Sequence, residues 1–351
     1  MVTDSKGNAR NYVLMLKRTT FNSIGDHKYT ISTAGELEHL AQKVNSGTGY
    51  ENTSFILTQD INLAGRNWSP IGKDLYTLFK GTFDGQGHTI SGLTIKRDQN
   101  YLGLFGYSKG SIKNITLLSP QIEGEKGPMG ALIGRSDGGE ITDCYVKGGE
   151  IDSKGNDIGG LIGDAKNTTI TNCHAENVYV SGIDKIGGLM GNCEGNNSMT
   201  NCHAACTVTA TDGFCGGLIG YCMSLITASP TITACYAQGD VEGKTNVGGL
   251  IGSFATNGYT ATITSCYYEG TVTNNDSKTI GFIGDSKISG TINFNACYGA
   301  FTGKQKTELT AFTGVTYVDA IGSDQIKDMN KTTSYYNADG TLKSDKNYQQ
   351  Q

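Results

Sequence analysis

The chain has 351 residues, enough for two compact domains or one elongated one. Its 50 glycines against 4 prolines and 17% charged residues point to a turn-rich architecture. A net charge of −5 leaves no basic footprint for nucleic acid or anionic lipid, and no run of roughly 18 apolar residues exists to span a membrane.

Residues 1–28 read as an N-terminal extension. Val13-Leu14-Met15-Leu16 is too short for the apolar core of a signal peptide, and no small-residue cleavage site follows it. Either a cytoplasmic protein or a chain whose leader has been removed fits. Residues 29–100 read as a capping helix and irregular first coils. The helix is expected over 33–46, where Thr33 and Glu36 form a capping box. Leu37, Leu40, Ala41 and Val44 repeat with helical period, and Gly47 suits the stop. Trp68, the only tryptophan, is expected in the core near this cap. Asp84-Gly85-Gln86-Gly87 reads as a turn; calcium is remote, since it takes six to eight oxygens and one carboxylate falls far short.

From 101 to 303 two short boxes recur in phase. The first is Gly103-Leu104-Phe105-Gly106, then Ala131-Leu132-Ile133-Gly134, Gly160-Leu161-Ile162-Gly163, and onward to Gly281-Phe282-Ile283-Gly284. The closing glycines step by 28, 29, 28, 29, 32 and 32 residues. The second box runs from Ile112-Lys113-Asn114-Ile115 through Ile170-Thr171-Asn172-Cys173 to Phe294-Asn295-Ala296-Cys297. Such a period marks stacked repeats. Each unit holds short apolar runs between turn residues, and glycine costs a helix about 1 kcal/mol relative to alanine. The expected fold is all-β: a right-handed parallel β-helix (β-solenoid) of about seven or more coils, with an N-terminal capping helix.

Two columns follow from the spacing. Phe105, Ile133, Ile162, Met190, Ile219, Ile251 and Ile283 form one; Tyr101, Met129, Ile158, Ile186, Cys215, Val247 and Thr279 form the other. Asp143, Asn172 and Asn201, succeeded by Ala234, Ser265 and Ala296, are expected to turn a corner, because Asn and Asp tolerate the left-handed region. Residues 304–351 read as a C-terminal cap and polar tail. Ser323 is expected to N-cap a short helix over 323–329, and Lys343–Gln351 to fray.

The two boxes resemble the GLUG-motif repeats of bacterial surface proteins, and similar repeats accompany immunoglobulin A metalloproteases. The lead-in from Tyr29 to Leu37, with Phe55–Ile61, Trp68–Gly72 and Gly81–Ile90, resembles the segment that precedes such repeats. The likeness covers roughly 29–335. It implies a cell-surface or secreted, adhesin-like protein with its leader removed, and it supplies no catalytic residues.

Chemistry is sparse. Six of the ten cysteines (Cys144, Cys173, Cys202, Cys235, Cys266, Cys297) share one column. In-register neighbours point their Cβ atoms the same way, which suits a disulfide badly, so free buried thiols are expected. If any bridge forms, Cys193–Cys222 comes first and Cys206–Cys215 second. The residues after these cysteines, Tyr145, His174, His203, Tyr236, Tyr267 and Tyr298, are expected to face outward as a candidate binding face. They could form a platform for sugar or peptide, or simply stabilise the sheet by cross-coil stacking. His174 and His203 stack, but no further metal ligand is identifiable, and neither metal nor cofactor is expected. Gly106–Gly110 and Gly134–Gly138 match G-x-S-x-G one repeat apart, as turn sequence lacking a nucleophile's context. No H-E-x-x-H occurs among the five histidines. Asp137, Asp164, Glu194 and Asp285 are expected to lie scattered through turns.

These features favour a non-enzymatic surface protein presenting a binding face to a glycan or an extracellular protein. A polysaccharide lyase or glycosidase, which fold analogy alone suggests, would need charged groups converging on one face. A structural spacer within a longer surface protein is the remaining alternative.

Overall fold

The computed structural model describes residues 2–3, 9–10, 21–225, 229–274, 280–285, 290–302, 309–310, 313–333 and 336–337. The chain winds into a parallel β-solenoid of about nine turns. Strands stack in two long sheets, one of 12 and one of 22 strands. The first carries the Gly-Leu boxes and the second the cysteine boxes.

One coil shows how the sequence does this. Asn156–Gly159 and Ile162–Lys166 build two rungs of the first sheet, separated by the Gly160-Leu161 step. Thr169–Thr171 and His174–Gly182 build the second sheet, separated by Asn172 and Cys173. Gly163 shows why the box is glycine: a Cβ there would lie 2.4 Å from the Met129 nitrogen and 2.6 Å from the Gly134 oxygen of the preceding coil.

The Phe105–Ile283 column pairs rung by rung as expected. Leu161 and its equivalents are buried in the same core. The other column needs correcting at both ends. Leu102, not Tyr101, bridges to Met129, and Ile280, not Thr279, pairs with Val247. In the first coil the left-handed Tyr101 (φ 61°) lies just outside the rung. In the last, an irregularity between Gly248 and Ile251 absorbs one residue. Thr279 itself lies outside the described residues. In the first of these places the buried Leu102 takes the core-facing position that residue counting gave to its neighbour.

The corner column behaves as expected, including where its side chains are poor. Asn114, Asp143, Asn172 and Asn201 have φ between 52° and 58°, and Ala234, Ser265 and Ala296 follow at 51°, 53° and 49°. Asn201 Nδ2 donates to Asn172 Oδ1 at 3.2 Å, and Asn172 donates to Asp143, so the amides bond from coil to coil.

The solenoid reaches further toward the N-terminus than the boxes. Tyr29, Phe55, Phe83 and Ile112 are consecutive rungs. Between the first two, α1 (Ala34–Asn45) forms with the Thr33–Glu36 capping box and buries Leu37, Leu40, Ala41 and Val44 in the core. Its Asn45 clamps the coil below, donating to the Pro70 carbonyl at 2.9 Å and accepting from the Gly72 amide at 3.0 Å. Trp68 is 1% exposed and donates from Nε1 to the Leu104 carbonyl at 3.0 Å, a core role. Asp84 accepts from the Gln86 amide at 3.0 Å and from Asn114 Nδ2 at 2.9 Å, which makes it a turn residue. Ser108 and Ser136 are buried neighbours in register within strands Phe105–Ser108 and Ile133–Asp137, so the G-x-S-x-G matches, expected as turns, are strand sequence that leaves the sheet only at Gly110 and Gly138.

At the other end Val315–Val318 adds a rung beyond Cys297–Phe301. The last helix, α2, spans Ser323–Thr332. Its N-cap is Gly322, one residue before the expected Ser323; the Gln325 side chain accepts the Gly322 N–H at 3.0 Å and does the capping. The helix lies along the flank of the last coils, where Ile326, Met329 and Tyr336 pack on Tyr236, Tyr267 and Tyr298. Lys343–Gln351 and Val13–Leu16 lie outside the described residues.

Candidate functional site

The expected binding column forms, but it is not an open surface. Tyr145, His174, His203, Tyr236, Tyr267 and Tyr298 occupy successive rungs. Their rings stack along the solenoid: His174 and His203 at 3.9 Å, His203 and Tyr236 at 4.5 Å, Tyr236 and Tyr267 at 4.6 Å. Tyr145 is half-buried, whereas the other five are between 0% and 8% exposed. Strand parity does send them away from the cysteines. The left-handed residue two positions earlier turns the chain just before each ring. Along the last coils α2 and Tyr336 close over the ladder. Tyr298 Oη donates to Asp328 Oδ2 at 2.5 Å, Ser265 Oγ donates to the Met329 carbonyl at 3.0 Å, and Tyr336 Oη donates to the Ser265 carbonyl at 2.5 Å. The sequence could not show that a distant segment covers this column.

The histidine pair has a neighbour that strand parity alone identifies. Glu176 lies two residues past His174 on the same face, and its Oε1 is 2.8 Å from His203 Nε2. Burial, with His203 alongside, holds the His174 imidazole well below its usual range and therefore neutral.

All ten cysteines are buried free thiols; neither Cys193–Cys222, which are rung partners, nor Cys206–Cys215 is bridged. Burial pushes Cys173, Cys235 and Cys297 well above the usual thiol range, and Cys206 up to about 12.

A charged cluster that sequence reading missed sits on the outward side of the first sheet. The residue after each box glycine gives the rungs Tyr107, Arg135, Asp164, Asn192, Tyr221, Ser253 and Asp285. Asp137, Asp164, Glu194 and Asp285, expected in turns, thus all lie in strands. Asp164 Oδ2 meets Arg135 Nη1 at 2.5 Å and its Oδ1 accepts from Asn192 Nδ2 at 3.0 Å. Asp157 pairs with Lys185 at 3.3 Å, and Lys185 lies 5.2 Å from the Tyr221 ring. Burial pushes the Asp164 carboxyl up to about 6, against the pull of Arg135 and helped by Asp157. The signal was the position itself: one column, read without requiring the same residue in every coil.

A shallow groove lies on the second sheet. The strand His174–Gly182 bulges between Glu176 and Tyr179, with Asn177 at φ 54°. Beside the bulge is a groove of about 490 Å³ lined by Asn177, Tyr179, Thr207, Gln238 and Asp240 among others. Tyr179 is 40% exposed, one of few large apolar side chains facing solvent.

No protein-family model matches the chain. It is 36% identical over 135 residues to halomucin of Haloquadratum walsbyi, covering 36% of this chain and 1% of that protein. It is 37% identical over 124 residues to a protein of Evansella cellulosilytica named provisionally as a Gly-rich membrane protein, covering 32% of this chain and 14% of that one. The chain therefore spans a small part of either relative. The crystal structure of a protein from Bacteroides ovatus, named provisionally as an immunoglobulin A1 protease, superposes with a TM-score of 0.58 at 18% identity, covering 88% of each chain. That likeness shows the fold alone. Among the described residues no helix is long and apolar enough to cross a membrane.

Proposed function

We propose that this chain is a non-enzymatic, surface-displayed binding solenoid of the adhesin-like, GLUG-repeat kind, and that it holds a neutral glycan in the groove beside Tyr179. The observation that carries the reading is the bulge in His174–Gly182, which breaks a flat sheet and leaves an exposed aromatic ring among amide, hydroxyl and carboxylate groups. An aromatic face offers a sugar its apolar side, and Gln238, Thr207 and Asp240 offer hydrogen bonds to its hydroxyls. The net charge of −5 disfavours an anionic polymer. Kinship with a halomucin and with a protein named as membrane-associated supports a surface setting. The test is a glycan and matrix-protein array on the wild-type chain and on Tyr179→Ala. Binding that Tyr179→Ala removes supports the reading; binding unchanged by that substitution rejects the groove.

The Asp164 cluster favours a second reading, a polysaccharide-active enzyme, because two carboxylates, an arginine and a lysine do meet on one face. It is the weaker reading: both Asp164 oxygens are engaged and its side chain is 3% exposed. Release of reducing ends from any bound polysaccharide, abolished by Asp164→Asn, would establish it instead.

A further inference from the structure

We propose that His174, Glu176 and His203 form a binding site for one divalent transition-metal ion of the zinc class. The two imidazoles come from the same position of adjacent coils, and the carboxylate from two residues along the first strand. Their three ligand atoms lie within 4.8 Å of one another. Zinc holds such ligands at about 2.0–2.2 Å, which puts ligand atoms roughly 3.3 Å apart. Side-chain torsion alone can close that gap, since the strand fixes where each side chain starts.

Three further features suit an ion there. Elsewhere the ladder carries tyrosine, and the two histidines interrupt it in the two coils that Glu176 can reach. Two imidazole nitrogens and one carboxylate oxygen are a donor set that zinc takes, and both imidazoles are buried. The Glu176 side chain is 24% exposed, so the site has an entry from solvent. Imidazole nitrogen selects zinc, copper or nickel over calcium and magnesium, which prefer all-oxygen shells. The proposal is independent of what the Tyr179 groove binds.

The test uses the untagged full chain, stripped with chelator and titrated with zinc chloride by calorimetry, with calcium chloride as control. One zinc per chain and no calcium is the expected result, with cobalt(II) giving the visible absorption of a tetrahedral site. Glu176→Gln should weaken zinc binding at least about tenfold. His174→Tyr with His203→Tyr should abolish it, and circular dichroism should show the fold retained, because tyrosine is the ladder's own residue in the adjoining coils. A wild-type chain that takes up no zinc overturns the proposal. So does zinc binding that survives both the Glu176→Gln and the double tyrosine substitution.

Discussion

The rings of Tyr236 and Tyr267 lie 4.6 Å apart and within 4° of parallel, stacked across adjacent coils beneath α2. Both rings are buried and belong to the packing of the molecule. Tyr267→Ala removes a 3% exposed ring and should cost about 3–5 kcal/mol in denaturant unfolding. It should also loosen α2, read as faster amide exchange in 323–332, while leaving ligand binding at the Tyr179 groove intact.

The cysteine ladder makes a prediction of its own. Every thiol is buried, and burial pushes the pKa of Cys173 and Cys235 well above the usual thiol range, so the reactive thiolate is scarce there. A thiol reagent should label none of the ten cysteines in the native chain and all ten after denaturation. Fewer than ten in denaturant without reductant would show a disulfide, with Cys193 and Cys222 the pair to examine.

Asp164 links stability to pH with a definite sign. Its folded value of about 6 lies above the 3.8 of the free carboxyl. Between those values the folded chain holds a proton that the unfolded chain releases, so this residue's contribution to stability falls as pH rises from about 4 to 6 and then levels. The full difference is about 3 kcal/mol. Unfolding midpoints measured across this range for the wild type and Asp164→Asn should diverge, with the wild type losing more as pH rises.

The corner column contains correctable strain. Ala296 sits at φ 49°, where an L-residue other than Asn, Asp or Gly loses roughly 1 kcal/mol or more. Ala296→Asn restores the residue found at 172 and 201 and should raise stability by about 1 kcal/mol in chemical denaturation.

Most of the scaffold is legible in the sequence itself. The boxes repeat in phase, so counting residues finds the Ile162 column, the Cys173 column and the corner at Asn172, and the capping box at Thr33 locates α1. Counting fails where the backbone is not periodic: Leu102 displaces Tyr101 because burial of an apolar side chain outweighs equal spacing, and Ile280 pairs with Val247 because the ladder shifts register by one residue between Gly248 and Ile251. The candidate site is less legible. Parity gives the direction of Tyr236 and Tyr267 correctly, but α2 arrives from some 60 residues downstream of Tyr267 and no local pattern announces it. The irregularity beside Tyr179 arises where the step Lys147–Glu150 and Glu176–Tyr179 shortens by one residue to Ala205–Thr207, a change invisible to a repeat that averages over coils. Arg135 and Asp164 share a column without sharing a residue type, so a search for recurring charge passes over them.

On the proposed reading the Tyr179 groove, and not the buried tyrosine ladder, binds glycan without turning it over. The measurement that tests it most directly is titration of an array-selected neutral oligosaccharide into the wild type, Tyr179→Ala and Tyr267→Ala, with reducing ends assayed in the same samples. The account predicts binding in the wild type and in Tyr267→Ala, its loss in Tyr179→Ala, and no new reducing ends. Binding that survives in Tyr179→Ala but fails in a folded Tyr267→Ala, or any release of reducing ends, would contradict it.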